Sequence, residues 1–228
     1  MKLLTVIILT YFHTGYTQSL HTIRGQVIGQ NSGTVYLYSA GVFRQGAQLI
    51  DSVKLSSQFF SFQKVLSEPN GYYISLNNVP GQLYFIWDKN VVISLKIGDL
   101  NQSVVEESSV NEAIKSFSDT VETVYNRRFK EIGQAFSQAK LEKDSLQTQQ
   151  IYQHYLSLGV EYQNAVSSHI KKRKEQWDSL FILSSCHKSL GRQMTLDLLN
   201  EMPQLFQQSQ LANQLKATIT DSSYPIMP

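Results

Sequence analysis

Asp51 and Ser52 stand side by side, and a carboxylate next to a hydroxyl is part of what nucleophilic catalysis requires. The hydroxyl also needs a base within hydrogen-bond reach and a group that orients that base. No Gly-x-Ser-x-Gly elbow occurs in the chain, so the pair is expected to satisfy backbone groups at a strand or loop edge. Of the five histidines, His13 falls in the leading apolar segment, and His21, His154, His169 and His187 lack His-x-x-x-His or Cys/His ligand spacing. Cys186-His187 invites comparison with an imidazole-activated thiolate. Neighbours in a helix point about 100° apart, so a small buried cysteine beside a surface histidine is expected instead. The basic run Lys171-Lys172-Arg173-Lys174 suits the C-terminal end of a helix, where cations meet the negative end of the dipole. These patterns give no catalytic residue, no metal ligand and no cofactor, and a non-enzymatic chain is expected.

The aromatic residues offer a different chemistry. Tyr36, Tyr38, Tyr73 and Tyr84 fall on the parity opposite the apolar residues of their runs, so they share the outer side of a sheet. Left open, such a face could stack against a sugar or peptide. Covered by helices, it becomes core. The second outcome is favoured, because helix stripes further along the chain need an apolar surface to bury against.

Composition narrows the partners. The chain has 228 residues, 42% of them hydrophobic, and is long enough for one large domain or two small ones. Charged residues make up 17% and the net charge is +2, which does not favour a nucleic-acid partner. One cysteine excludes an intrachain disulfide and a Cys-x-x-Cys redox pair. Residues 1–19 read as an export signal, with Lys2 ahead of the apolar run Leu3–Phe12 and small residues placed for cleavage after Thr17 or after Ser19. That run is too short to span a bilayer as a helix. The mature chain is expected in the periplasm or cell envelope with no membrane span.

The elements that position these residues follow from two periods. Between about 20 and 100, short runs rich in β-branched and aromatic residues alternate apolar with polar, near 20–28, 33–39, 48–55, 59–64, 71–77, 81–87 and 91–97. Val91, Ile93, Leu95 and Ile97 share one face, as do Leu83, Phe85 and Trp87. Seven such runs predict an antiparallel β-sandwich or partly open barrel. The period then changes. Ser109-Val110-Asn111-Glu112 fits a capping box, and Ile114, Phe117, Val121, Val124, Ile132, Phe136 and Ala139 recur at helical spacing, with the stem of Arg128 bridging a gap. A second helix is expected over 144–174, with Leu146, Ile151, Tyr155, Leu158 and Tyr162 on one face. It is antiparallel to the first across the short Glu142-Lys143-Asp144 connection. Shorter helices follow over 178–188, closed by Gly191, and over 196–202, capped by Thr195, with a last amphipathic piece around Leu205, Leu211 and Leu215. The predicted class is α+β: a β domain over 20–100, a helical region over 108–219 and a tail over 220–228.

Gly25-Gln26-Val27-Ile28-Gly29, Gly33-Thr34-Val35-Tyr36-Leu37, and Ile50-Asp51-Ser52-Val53 leading to Phe60-Ser61-Phe62 resemble the domain of unknown function that precedes thioredoxin-like domains in exported Bacteroidetes proteins. In the helical half Asn111 with Phe117, Asp178-Ser179-Leu180-Phe181-Ile182-Leu183, and Leu199-Asn200-Glu201-Met202-Pro203 are similar to the same family. The resemblance implies an accessory module whose redox chemistry lies outside these residues. It leaves open a stand-alone version or the front part of a thiol-disulfide oxidoreductase. The expectation is an exported interaction or scaffold module whose partner is a protein, either itself or a component of the cell envelope. Glycan or peptide binding on the β domain is the weaker alternative.

Overall fold

The computed structural model describes residues 19–40 and 46–221. The leading segment through residue 18, with His13, and residues 222–228 of the expected tail lie outside the described residues. Eight strands come first: β1 (Ser19–Ile28), β2 (Gly33–Ser39), β3 (Gln48–Leu55), β4 (Phe59–Leu66), β5 (Asn70–Leu76), β6 (Leu83–Trp87), β7 (Val91–Lys96) and β8 (Val104–Glu106). They form two four-stranded sheets, ordered β4-β1-β7-β8 and β3-β2-β5-β6, that are not closed into a barrel. The fold class is α+β, as the two periods predict.

Alternation in the strands decides which side is inside. Ile23 and Val27, Phe60 and Phe62, and Val91, Ile93 and Leu95 point inward from the first sheet. Val35 and Leu37, Tyr72, Ile74 and Leu76, and Leu83, Phe85 and Trp87 meet them from the second. Tyr72 lies edge-on to Trp87 at 5.3 Å between ring centroids, and burial pushes its phenol pKa up to about 12. Among the described residues, every strand pair is antiparallel except β1–β7, which runs parallel from Ile23↔Val91 to Ile28↔Lys96. β8, between the expected β domain and the expected helical region, adds an edge strand to the first sheet through Ile93↔Val105.

Seven helices follow: α1 (Ser109–Phe117), α2 (Thr123–Leu141), α3 (Ser145–Lys172), α4 (Trp177–Leu190), α5 (Arg192–Asn200), α6 (Gln204–Gln207) and α7 (Gln210–Thr220). A π-helical turn, Ser118–Glu122, joins α1 to α2. Asp144 caps α3 by accepting from the Gln147 N–H at 2.9 Å. Two cap readings need correction. The cap of α1 is Ser108, whose hydroxyl accepts from the Asn111 N–H at 3.2 Å. Thr195 caps nothing, because α5 begins at Arg192 and the Thr195 hydroxyl donates back to the Gly191 carbonyl at 2.7 Å. A second core fills the helical region, built from Phe117, Val166, Ile170, Leu180, Leu183, Leu199 and Leu215 among others.

Candidate functional site

The helical region docks on the outer face of the second sheet, at its β6 edge. Ile86 points outward from β6 and is buried against Val110 of α1 and Phe181 of α4, with Tyr84 at the rim. An edge strand presents unpaired backbone groups, and here a side chain meets them. Asn111 Oδ1 accepts from the Ile86 N–H at 2.8 Å and Asn111 Nδ2 donates to the Ile86 carbonyl at 2.7 Å, so the amide acts as one rung of a strand. The Ser108 hydroxyl donates to Asp88 at 2.9 Å and accepts from Asn111 Nδ2 at 2.7 Å. This network explains why Ser108 rather than Ser109 takes the cap. Burial raises the Asp88 pKa, against the lowering effect of the Ser108 hydrogen bond.

The four tyrosines lie together, as their parity implies, but in two environments. Tyr38 pairs across with Tyr73 and Tyr73 with Tyr84, and the Tyr73 and Tyr84 rings stand 5.3 Å apart. Tyr73 is 7% exposed, and Tyr84 borders Ile114 and Phe181 of the helices. Tyr36 and Tyr38, their rings 6.2 Å apart, are half-buried on the same face but further from β6. Helices therefore border one end of this face, at Tyr84. Asp51 and Ser52 are exposed on the edge strand β3, where Asp51 Oδ1 accepts from the Ser52 N–H at 2.7 Å. Asp51 thus takes the backbone role expected of the pair.

Between the sheet and the helices lies a cleft of about 450 Å³, bordered by Tyr84, Phe117, Glu122, Ser184, His187 and Lys188. The Cys186-His187 pair divides across it. Cys186 is buried with its sulfur 3.6 Å from the Tyr162 hydroxyl of α3, while His187 reaches the cleft. His187 is buried, not on the surface as the sequence led us to expect. Its Nδ1 lies 2.7 Å from the Ser184 carbonyl, and desolvation lowers its pKa. The Cys186 thiol pKa is raised by burial, the opposite of an activated thiolate. Among the described residues, no three or more His, Cys, Asp or Glu side chains are grouped to hold a metal ion.

α2 and α3 form the expected helical hairpin, with Tyr162 and Tyr155 of α3 meeting Phe129 of α2. Arg128 ion-pairs with Glu161 at 2.8 Å. At its base the hairpin is fixed by Arg173, whose guanidinium donates twice to the buried Asp178 carboxylate, at 2.7 and 2.9 Å. The Phe117 ring lies tilted against that of His169, 4.9 Å between centroids. Away from the base the hairpin is open. Tyr152, Leu156 and Val160 of α3, four residues apart and therefore on one line, are 48%, 43% and 57% exposed. That line continues into Gln163, whose amide donates to the Ser189 carbonyl of α4 at 2.7 Å; α4 covers below Gln163 what lies bare above it. Beside Tyr152, a groove of about 450 Å³ is bordered by Phe136, Thr148 and Gln149 together with the charged Lys140, Lys143 and Asp144. The periodicity that selects Ile151, Tyr155 and Leu158 passes over this second stripe. Its signal in the sequence is the 16-residue run Ser145–Val160, which contains no Asp, Glu, Lys or Arg.

No described helix is long and apolar enough to cross a membrane. Neither a curated protein nor a solved structure matches the chain. A family model does match, over residues 21–114, from the first strand into α1. Over that span the chain is similar to the family described as Domain of unknown function (DUF4369).

Proposed function

We propose that the chain is an exported, non-catalytic interaction module in which the β-sandwich and the short helices hold the α2–α3 hairpin out for a partner protein. The observation that carries this reading is the bare stripe Tyr152-Leu156-Val160, set in a stretch of helix free of formal charge. Surface helices ordinarily carry charge on their open side, whereas depletion of charged residues with retention of aromatic and apolar ones marks the centre of a protein interface. Export is supported by Lys2 and the apolar run after it.

A photo-crosslinking residue placed at Tyr152 of the full chain, in the cells that produce it, tests the reading. The expected result is a protein adduct at Tyr152 that is absent when the same residue replaces Gln63, on the outer face of the first sheet. No adduct at Tyr152, or equal adducts at both positions, overturns it.

A further inference from the structure

We infer that the cleft between the second sheet and the helices binds a small zwitterion with an apolar side chain, a free α-amino acid or a dipeptide, its ammonium held at Glu122 and its carboxylate at Lys188. The site is separate from the α2–α3 hairpin, and neither reading depends on the other. Its size fits: about 450 Å³ falls within the range of small-molecule pockets, which favour the seam between two packed units. Phe117 and Phe181 supply apolar wall for a side chain, and Ser184 and Gln214 add hydrogen-bonding groups.

Charge selects the ligand. Glu122 and Lys188 both border the cleft, and among the described residues neither side chain makes an ion pair or a hydrogen bond, with each other or with a third group. Glu122 is half-buried, a setting in which a carboxylate ordinarily finds a cation or a donor. Burial raises the pKa of the Cys186 thiol and the Glu122 charge adds to the rise, which places that carboxylate close to α4, the helix that carries Lys188. An anionic ligand would meet Glu122 at a like-charge cost, and a cationic one would meet Lys188. A neutral sugar would leave both charges without a partner. A molecule with one charge of each sign satisfies both. The backbone is shaped for this. In a regular α-helix, residues five apart point about 140° apart, yet Phe117 and Glu122 border one cleft; the wider winding of the π-helical turn Ser118–Glu122 brings them round. Such turns are rare and fall frequently at functional sites. On the sheet side, a methyl group at Gly71 would stand 2.7 Å from the Tyr84 hydroxyl, so glycine there lets the Tyr84 ring lie across β5 instead of rising into the cleft.

Calorimetric titration of the purified chain with leucine, phenylalanine and leucyl-phenylalanine tests the inference, beside the N-acetylated and the C-terminally amidated form of each, which lack one charge apiece. At least one of the three zwitterions is expected to bind, and each of its blocked forms to bind about ten-fold more weakly, for the loss of one charge-assisted contact. Whether the free amino acids or the dipeptide bind tells the two sources of this chemistry apart. Lys188→Met should weaken the free form about ten-fold and leave the amidated form unchanged; Glu122→Gln should weaken the free form to the same degree and leave the acetylated form unchanged. Lys188 is exposed, so a circular-dichroism spectrum unchanged from the parent separates lost binding from lost folding. The inference is overturned if none of the three zwitterions binds at up to about 10 mM, where a millimolar site would be filled. It is overturned equally by blocked forms that bind as well as the free ones, or by binding that Lys188→Met and Glu122→Gln both leave unchanged.

Discussion

Gly25→Ala in β1 is the substitution whose cost the structure specifies most directly. Gly25 faces inward opposite Phe60 of β4, and the Phe60 ring lies over the space a side chain would fill. A methyl group added there would overlap Phe60 Cζ and stand 2.5 and 2.6 Å from Cε1 and Cε2. Carbon atoms rest in contact at about 3.5–4.0 Å, so the ring must retreat by about 1.5 Å. It cannot do so freely, because Phe60 is buried and packs against Phe62 at 5.8 Å. Overpacking of this kind costs about 1–3 kcal/mol, and a rigid ring in a filled core places this site near 3. For a chain of this size that is a fall in Tm of about 6–12 °C. Urea unfolding followed by circular dichroism and by tryptophan emission reads it, with coincident transitions showing two-state behaviour. Phe60→Leu alone costs about 1–2 kcal/mol for the volume it leaves. Combined with Gly25→Ala it should recover about 2 kcal/mol relative to the sum of the single changes, since the two residues compete for one space. A loss within about 0.5 kcal/mol for Gly25→Ala, or simple additivity in the double variant, refutes the account.

Three further outcomes follow from the joints and buried groups. Asn111→Ala strips the N–H and C=O of Ile86 of their partner and should cost about 2–4 kcal/mol in the same assay; Asn111→Asp keeps the shape but turns an acceptor on the Ile86 carbonyl, and should be no better. His169 and His187 both have pKa values lowered from 6.5 by burial, so the unfolded chain takes up protons first on acidification. Their contribution is complete above about pH 6.5 and is lost as pH falls below it. Asp88 and Glu68, raised from 3.8 and 4.5 by burial, act with the opposite sign just above those values. The urea midpoint should therefore drop between about pH 7 and pH 5.5, and His169→Asn with His187→Asn should flatten that limb. Cys186, buried with a raised pKa, should react with a thiol reagent only as fast as the helical region opens; native labelling as rapid as in urea would show that it is exposed.

Most of the elements are legible in the sequence because their signals are local. Val91, Ile93 and Leu95 alternate and are all inside, and Asp144 caps a helix where its spacing says it should. What escapes depends on partners far along the chain. Nothing in residues 20–28 announces that β1 will run parallel to β7. Ser108 and Ser109 are equal as caps until Asp88 comes within reach of the first and Ile86 within reach of Asn111. The fate of the tyrosines divides for the same reason: the side of the sheet follows from parity, whereas which end the helices meet depends on where α1 and α4 dock. The residues of the resemblance in the helical half prove to be joints, with Asn111 closing β6, Phe117 on His169, and Asp178 holding Arg173. The stripe on α3 was there to be read. Ile151, Tyr155 and Leu158 already give α3 one apolar face, and the second lies beside it.

The parallel pairing of β1 with β7 also sets an order of events at the ribosome. Synthesis proceeds from the N-terminus, and β1 occupies the middle of its sheet, between β4 and β7. The second sheet has all its strands by Trp87. The first cannot close until Val91–Lys96 has emerged, nearly seventy residues after Ile23, or several seconds at ordinary elongation rates. Until then one edge of β1 has no strand to pair with, and Ile23 and Val27 lack part of their cover. The nascent chain thus keeps its earliest strand incomplete longest, which is the interval in which a chaperone can hold it unfolded.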